Sequence, residues 1–204
     1  MLIDIHSHHI HTAEDIFVPR SFGVHPWHSN LFSVSDLPSL RLALADTCRQ
    51  KSVAMVGECG LDALQGAPMD FQLLLFRIHA EVAEEVAKPV VVHCVRSFNE
   101  LMSLRGRNGY HQPWVVHGYI GPPQMALQLW YMGIWCSFGA AILNPTRTKP
   151  IEALRQLGPE RLFLETDASP IDIHDVYAAA ATHLSLSVEE LSVTINKNFS
   201  RLFE

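Results

Sequence analysis

Six residues with metal-ligand chemistry close apolar runs of this chain: His6, His8, Glu58, His93, His117 and Asp167. Leu2-Ile3-Asp4-Ile5 leads into His6-Ser7-His8, and Val53 through Gly57 leads into Glu58. Pro89 through Val92 ends in His93, Trp114 through Val116 in His117, and Leu162 through Thr166 in Asp167. Imidazole nitrogens and carboxylate oxygens are the donors that zinc and related divalent metals take. A cation held by them acidifies water and neutralises anionic oxygens, the chemistry of metal-dependent hydrolysis. In a parallel α/β barrel the strand C-termini open on one face, so ligands scattered along the sequence converge there.

Each motif also has a plainer reading. Two imidazoles at i and i+2 can share a metal if the strand ends between them. The alternative is a polar, His-rich start, since His9 and His11 lie nearby. Glu58 sits in Gly57-Glu58-Cys59-Gly60-Leu61-Asp62, and burying a carboxylate there without a partner is costly. A pair of cations about 3.5–4 Å apart can share such a group; an ordinary turn with a structural carboxylate is the alternative. A lone buried histidine is usually a satisfied core residue, but His93 and His117 occupy equivalent points of consecutive units. Asp167 can ligate a metal and accept a proton from water as general base, or it caps a following helix. Glu165, one step inside the strand end, is suited to hold a partner behind the ligands. In His25-Pro26-Trp27-His28, His25 can hydrogen-bond substrate and Trp27 can stack on a base. The competing reading makes Trp27 a hydrophobic plug and His28 an exposed polar residue. Arg20, Arg147 and Lys149 either add positive charge near a pocket or are simply solvated.

The elements that must position these residues alternate along the chain. Strand candidates are 2–6, 21–25, 53–58, 90–94, 114–117, 134–138 and 161–166. Helix candidates are 36–50, 70–87, 98–105, 122–132, 150–157, 173–183 and 187–203. Ser35 or Asp36 can cap the first helix. The second carries Phe71, Leu74, Leu75, Ile78, Val82 and Val86 on one face, and Pro89 stops it. Ser187 with Glu190 three residues on predicts a capping box. Repeated β-then-α with nearly continuous apolar strands implies a parallel sheet covered by helices. The seven strands are one short of a full barrel, so the expected fold is an α/β, TIM-type (β/α) barrel, incomplete or distorted. With no linker or repeat, residues 1–204 read as a single domain.

Bulk properties agree with an enzyme of this class. The 204 residues are 48% hydrophobic and 18% charged, with a net charge of −6. No apolar stretch approaches the roughly 18 residues that span a membrane, and no secretion signal opens the chain, so a cytoplasmic location is expected. The negative charge argues against a broad footprint on duplex DNA. It leaves nucleic acid open as a substrate, because bound metals supply positive charge locally. Cys48, Cys59, Cys94 and Cys136 are widely spaced and read as reduced thiols.

Together these motifs resemble the TatD family of metal-dependent deoxyribonucleases, within the amidohydrolase-like barrels. The resemblance runs through Ile3 to His8, Gly23-Val24-His25-Pro26, Gly57 to Asp62, Pro89 to His93, His117 to Gly121, Leu164 to Asp167 and Asn198 to Phe203. It implies two divalent metal ions: His6, His8, Glu58 and Asp167 on one, and Glu58, His93 and His117 on the other. Water between them would attack phosphorus, with Asp167 taking its proton and Glu58 bridging. The implied activity is phosphodiester cleavage, with single-stranded DNA as a substrate. Four imidazoles favour Zn2+ or Mn2+ over Mg2+ by ligand softness.

Two departures bear on the substrate. Only residues 9–22 separate His8 from Gly23, where the family carries a helix–strand–helix unit. Val95 stands where the family often has an arginine, the usual bidentate grip on phosphate, with Arg96 next to it as the replacement. Two other functions therefore stay open. One is hydrolysis of a small amide, lactone or phosphoester on the same metals; the other is a non-catalytic metal-containing binding module.

Overall fold

Strands and helices alternate as the hydrophobic pattern predicts, in a computed structural model that describes residues 1–9 and 13–204. His11 of the His-rich opening lies outside them. In chain order the elements are β1 (Leu2–Ile3), β2 (Ile16–Phe17), β3 (Ser21–Phe22), α1 (Leu37–Cys48), β4 (Met55–Asp62), α2 (Met69–Val86), β5 (Val90–Val95), α3 (Phe98–Asn108), β6 (Trp114–Val116), α4 (Pro123–Tyr131), β7 (Ile134–Phe138), α5 (Thr148–Leu157), β8 (Leu162–Leu164), α6 (Ile173–Leu184) and α7 (Val188–Arg201). They fall into two compact units, Arg20–Val115 and Met1–Pro19 with Val116–Glu204. The α/β class with parallel strands is as expected. The strand β2 is an addition to the seven expected ones. A strand of two residues, Ile16 and Phe17, is too short to carry an alternation.

In the unit Arg20–Val115, β4 pairs in parallel with β3 on one side and β5 on the other. All eight residues of β4 are buried. It runs four residues past the expected end at Glu58, through a register shift between Val56 and Cys59. Two glycines permit this. A Cβ on Gly57 would lie 2.4 Å from the Val91 carbonyl oxygen, and one on Gly60 2.0 Å from that of His93. Both also have positive φ, +124° and +143°, which L side chains rarely adopt.

The helix α2 packs on β4 and on α1. Its buried face is Gln72, Leu75, Phe76, His79, Ala80, Val82 and Ala83, while Leu74 is 42% exposed. The face is thus rotated from the purely apolar one expected, because two polar residues on it have buried partners. Gln72 accepts the Asp62 amide at 2.8 Å and donates to the Asp62 carbonyl at 2.9 Å. His79 bonds the Leu75 carbonyl. At the start of α1 Asp36 holds the N-cap position, but its carboxylate accepts from the Ser33 amide (2.8 Å) and hydroxyl (2.6 Å). Of the two candidates, Asp36 is thus the one at the cap position of α1, and Ser33 caps the preceding one-turn 3-10 helix, Val34–Asp36.

In the second unit β1 pairs in parallel with β2, and β7 with β8. The ends of β1 and β8 run side by side: Ile5 N–H donates to Leu164 O, Asp167 N–H to His6 O and His8 N–H to Asp167 O, each at 3.0 Å. Tyr177 on α6 ties in the first strand, its hydroxyl accepting from Ile3 N–H and donating to Ile3 O. Asn198 on α7 donates to the carbonyls of Pro159 and Leu162. The Ser187–Glu190 capping box forms as expected at the start of α7. Among the described residues no helix is long and apolar enough to cross a membrane.

One fold contact invites a direct test. The Lys88 ammonium, just past α2, donates to the carbonyls of Cys48, Gln50 and Val53, collecting the acceptors left where α1 ends. Lys88→Met keeps the stem and strands those acceptors. The expected loss is about 1–3 kcal/mol of unfolding free energy, read as a lowered urea midpoint at unchanged slope.

Candidate metal centre

Expected ligands gather in each unit. In Arg20–Val115, Glu58 on β4 and His93 on β5 are brought together by the glycine-permitted approach of those strands. The Glu58 Oε1 lies 3.0 Å from His93 Nδ1 and 2.9 Å from His25 Nε2. The two imidazoles are 3.3 Å apart at those nitrogens. Because His25 Nδ1 accepts the Trp27 amide at 3.1 Å, its Nε2 carries the proton and donates. His25, expected to touch substrate, thus meets Glu58 and His93 directly. Glu58 and His93 are buried and His25 half-buried, and donor atoms of all three lie within 4.8 Å of one another.

Behind His93 stands Asp62, a residue absent from the expected set although it closes the quoted glycine motif. Its Oδ2 lies 3.2 Å from His93 Nε2 and accepts the Trp27 indole N–H at 2.7 Å. Its Oδ1 accepts the Leu64 and Gln65 amides at 2.8 and 3.2 Å. Burial alone would raise the Asp62 pKa. The bonds from Trp27, Leu64 and His93 outweigh it and hold the carboxyl below its ordinary value. The N–H edge of Trp27 is thus anchored, and 47% of the residue remains exposed. Arg96 follows β5 with φ +52°, is exposed, and makes no hydrogen bond or ion pair among the described residues.

In the other unit Asp167 Oδ1 lies 3.4 Å from His8 Nε2 and 3.7 Å from His6 Nε2. The rings of His6 and His117 are 4.7 Å apart at their centroids. His6, His117 and Asp167 bring donor atoms within 4.8 Å of one another. The backbone ladder from Ile5 to His8 explains the convergence, since it sets Ser7 beside Asp167 in a parallel bridge. Asp167 has φ +52°, an uncommon conformation for a non-glycine residue. It caps no helix; the N-cap of α6 is Asp172. Glu165 stands behind the ligands as expected, accepting from the Gly118 amide and Ser137 hydroxyl, with Oε1 3.8 Å from His117 Nδ1. Asp4 accepts the Thr166 amide at 3.0 Å and its hydroxyl at 2.7 Å, fixing the residue before Asp167. A carboxylate inside the apolar run Ile3-Asp4-Ile5 was the visible signal for that role.

The thiols stand apart from this chemistry. All four cysteines are free, and burial pushes Cys48 up to about 11, Cys94 to about 12 and Cys59 well above its ordinary value. Arg20, Arg147 and Lys149 are exposed.

Parallel strands that end in imidazole and carboxylate donors are the frame of a metal-dependent hydrolase. The chain belongs to the family described as TatD related DNase, whose sequence model matches residues 5–204. It is 23% identical to the uncharacterized metal-dependent hydrolase YabD of Bacillus subtilis over 202 residues, which cover 92% of this chain and 78% of YabD. It is 30% identical over 164 residues to the 3'-5' ssDNA/RNA exonuclease TatD of Pantoea, covering 74% of this chain but 59% of that protein. The crystal structure of the TatD homolog YjjV from Escherichia coli superposes with a TM-score of 0.80 at 24% identity, covering 94% of this chain and 78% of YjjV. The resemblance read from the motifs is borne out across nearly the whole chain.

The segment carrying His25 has a pH-sensitive support. His79 Nε2 accepts the Val24 amide at 2.9 Å and its Nδ1 bonds the Leu75 carbonyl at 2.8 Å, which requires the neutral ring. Burial depresses its pKa to about 4, with the Leu75 bond opposing. The folded value lies below the ordinary 6.5, so this contribution is fully present above about pH 6.5 and is lost as pH falls through 4. His79→Gln keeps a neutral donor and acceptor. Between pH 7 and 4 the wild type should lose on the order of 3 kcal/mol more stability than this variant, measured by urea unfolding at each pH.

Proposed function

We propose that the chain is a metal-dependent phosphodiesterase acting on single-stranded DNA ends, with two divalent ions held by its imidazoles and carboxylates. Residues 1–204 act as one hydrolase domain in this reading. The ligands in this reading are His6, His8, Glu58, His93, His117 and Asp167. The observation that carries it is the Glu58–His93–His25 contact, where a carboxylate oxygen and an imidazole nitrogen meet at 3.0 Å. A buried point shared by such donors suits a cation, and the mixed imidazole and oxygen set suits Zn2+ or Mn2+, with Mg2+ as a weaker match.

A bound divalent ion supplies positive charge against the phosphate and acidifies water in the site. The chain's own residues do the rest. Asp167 accepts the proton of the attacking water, and its left-handed backbone turns the carboxylate toward His6 and His8. Glu58 is oriented by the His25 N–H. Trp27 offers an exposed aromatic face on which a base can stack. Arg96 is exposed and available to a phosphate. The names of relatives support DNA or RNA ends as the substrate class.

Val95 at the usual arginine position favours a second reading, a small ester, lactone or amide on the same metals. The test measures 3′-end release from single-stranded DNA with Mg2+ or Mn2+, alongside lactone and amide substrates. Glu58→Ala and Asp167→Asn should each cost about 10²–10⁴-fold in rate. Equal rates in all three proteins would rule the mechanism out, and turnover of the lactone or amide alone would install the second reading.

A further inference from the structure

We propose that Asp62, held by the Trp27 indole, is a positioning residue that keeps the proton of His93 on Nε2 and so turns its Nδ1 lone pair toward the cation. The inference rests on the metal-ligand role of His93 given above. It concerns two residues to which that reading assigns no part in metal binding.

His93 lies between two carboxylates. Glu58 Oε1 is 3.0 Å from Nδ1 and Asp62 Oδ2 is 3.2 Å from Nε2. A neutral imidazole has one proton to give. If Glu58 takes it, Nδ1 cannot bind a metal. If Asp62 takes it, Nδ1 and Glu58 converge as two acceptors, and a cation satisfies both. The surroundings decide in favour of Asp62. Three donors fix its carboxylate: the Trp27 indole on Oδ2, and the Leu64 and Gln65 amides on Oδ1. They hold it in place and use both of its oxygens as acceptors, and it is only 2% exposed. Glu58 already receives the His25 N–H at 2.9 Å. A carboxylate that orients a metal-binding histidine by its second nitrogen is a general device. The added element here is the indole N–H, which ties that device to a ring exposed at the surface.

The same geometry predicts what asparagine does. With an amide at position 62, one oxygen site becomes a donor. Placed toward Leu64 and Gln65 it would oppose two N–H groups. Placed toward Trp27 it opposes one, and His93 can accept from it. The second arrangement costs less, and it forces the His93 proton onto Nδ1, where Glu58 binds it.

The experiment uses nitrogen-15 labelled histidine in the full chain without metal. Long-range nitrogen–proton spectra report each ring's tautomer, and His93→Gln identifies its signals among the 12 histidines. The wild type should show Nε2–H at His93, Asp62→Asn should show Nδ1–H, and Trp27→Phe should keep Nε2–H with a broadened or mixed signal. Mn2+ and Zn2+ titrations should give about 10–100-fold weaker binding for Asp62→Asn and a smaller loss for Trp27→Phe. Nδ1–H in the wild type, or an unchanged tautomer and metal affinity in Asp62→Asn, would overturn the positioning role. A wild type that takes up neither metal would overturn the metal reading, and this inference with it, whatever its tautomer.

Discussion

Carboxylates buried beside imidazoles are the constraint on which this structure turns. Asp4, Glu58, Asp62 and Glu165 are all buried, and burying a carboxylate is costly unless donors are arranged for it. Each has been given a different set. Asp4 takes the amide and hydroxyl of Thr166, and Asp62 takes an indole, two amides and an imidazole. Glu165 takes an amide and a serine hydroxyl, while Glu58 faces two histidines. Asp4, Asp62 and Glu165, each backed by amide, hydroxyl or indole donors, serve as supports. Glu58, facing the imidazoles of His25 and His93, is the one whose surroundings best suit a cation.

The strands are built to deliver that arrangement. A side chain could not be tolerated at Gly57 or Gly60, because β5 approaches to within contact of both. The approach extends β4 past Glu58 to Asp62, so one strand carries both the group facing His93 Nδ1 and the group facing His93 Nε2. In the other unit, the paired ends of β1 and β8 do the same for His6, His8 and Asp167 through backbone bonds, with Asp4 and Thr166 side chains beneath. Function residues on rigid strand ends, supported by a hydrogen-bonded layer beneath, hold geometry better than residues on loops.

Much of this was legible in the sequence. The seven helices appear within three residues of their expected bounds, because amphipathic periodicity and caps such as Ser187–Glu190 are local signals. The six candidate ligands stood out because polar residues ending apolar runs are conspicuous. What stayed hidden depends on pairing across the chain. The strand β2 is two residues long and exists by pairing with β1. The buried face of α2 turns toward Gln72 and His79, whose polarity conceals burial until Asp62, Val24 and Leu75 supply their partners. Asp62 itself looked like the end of a turn motif, since nothing in its neighbours announces His93, 31 positions away.

The hidden residues share a property that bears on specificity. His79 holds the amide of Val24, Gln72 holds the amide and carbonyl of Asp62, and Asp62 holds Trp27. All four bonds converge on the segment from Gly23 to Trp27 or on the group that anchors it. That segment contributes His25 to Glu58 and leaves the indole face of Trp27 exposed. A substrate that stacks on Trp27 therefore presses on a ring whose N–H edge is bonded to the partner of His93. In the proposed function, substrate contact at Trp27 and orientation of His93 would be joined through a single buried carboxylate. Changing the aromatic surface to alter substrate preference would then disturb the imidazole behind it, unless the replacement keeps an N–H donor in the same place.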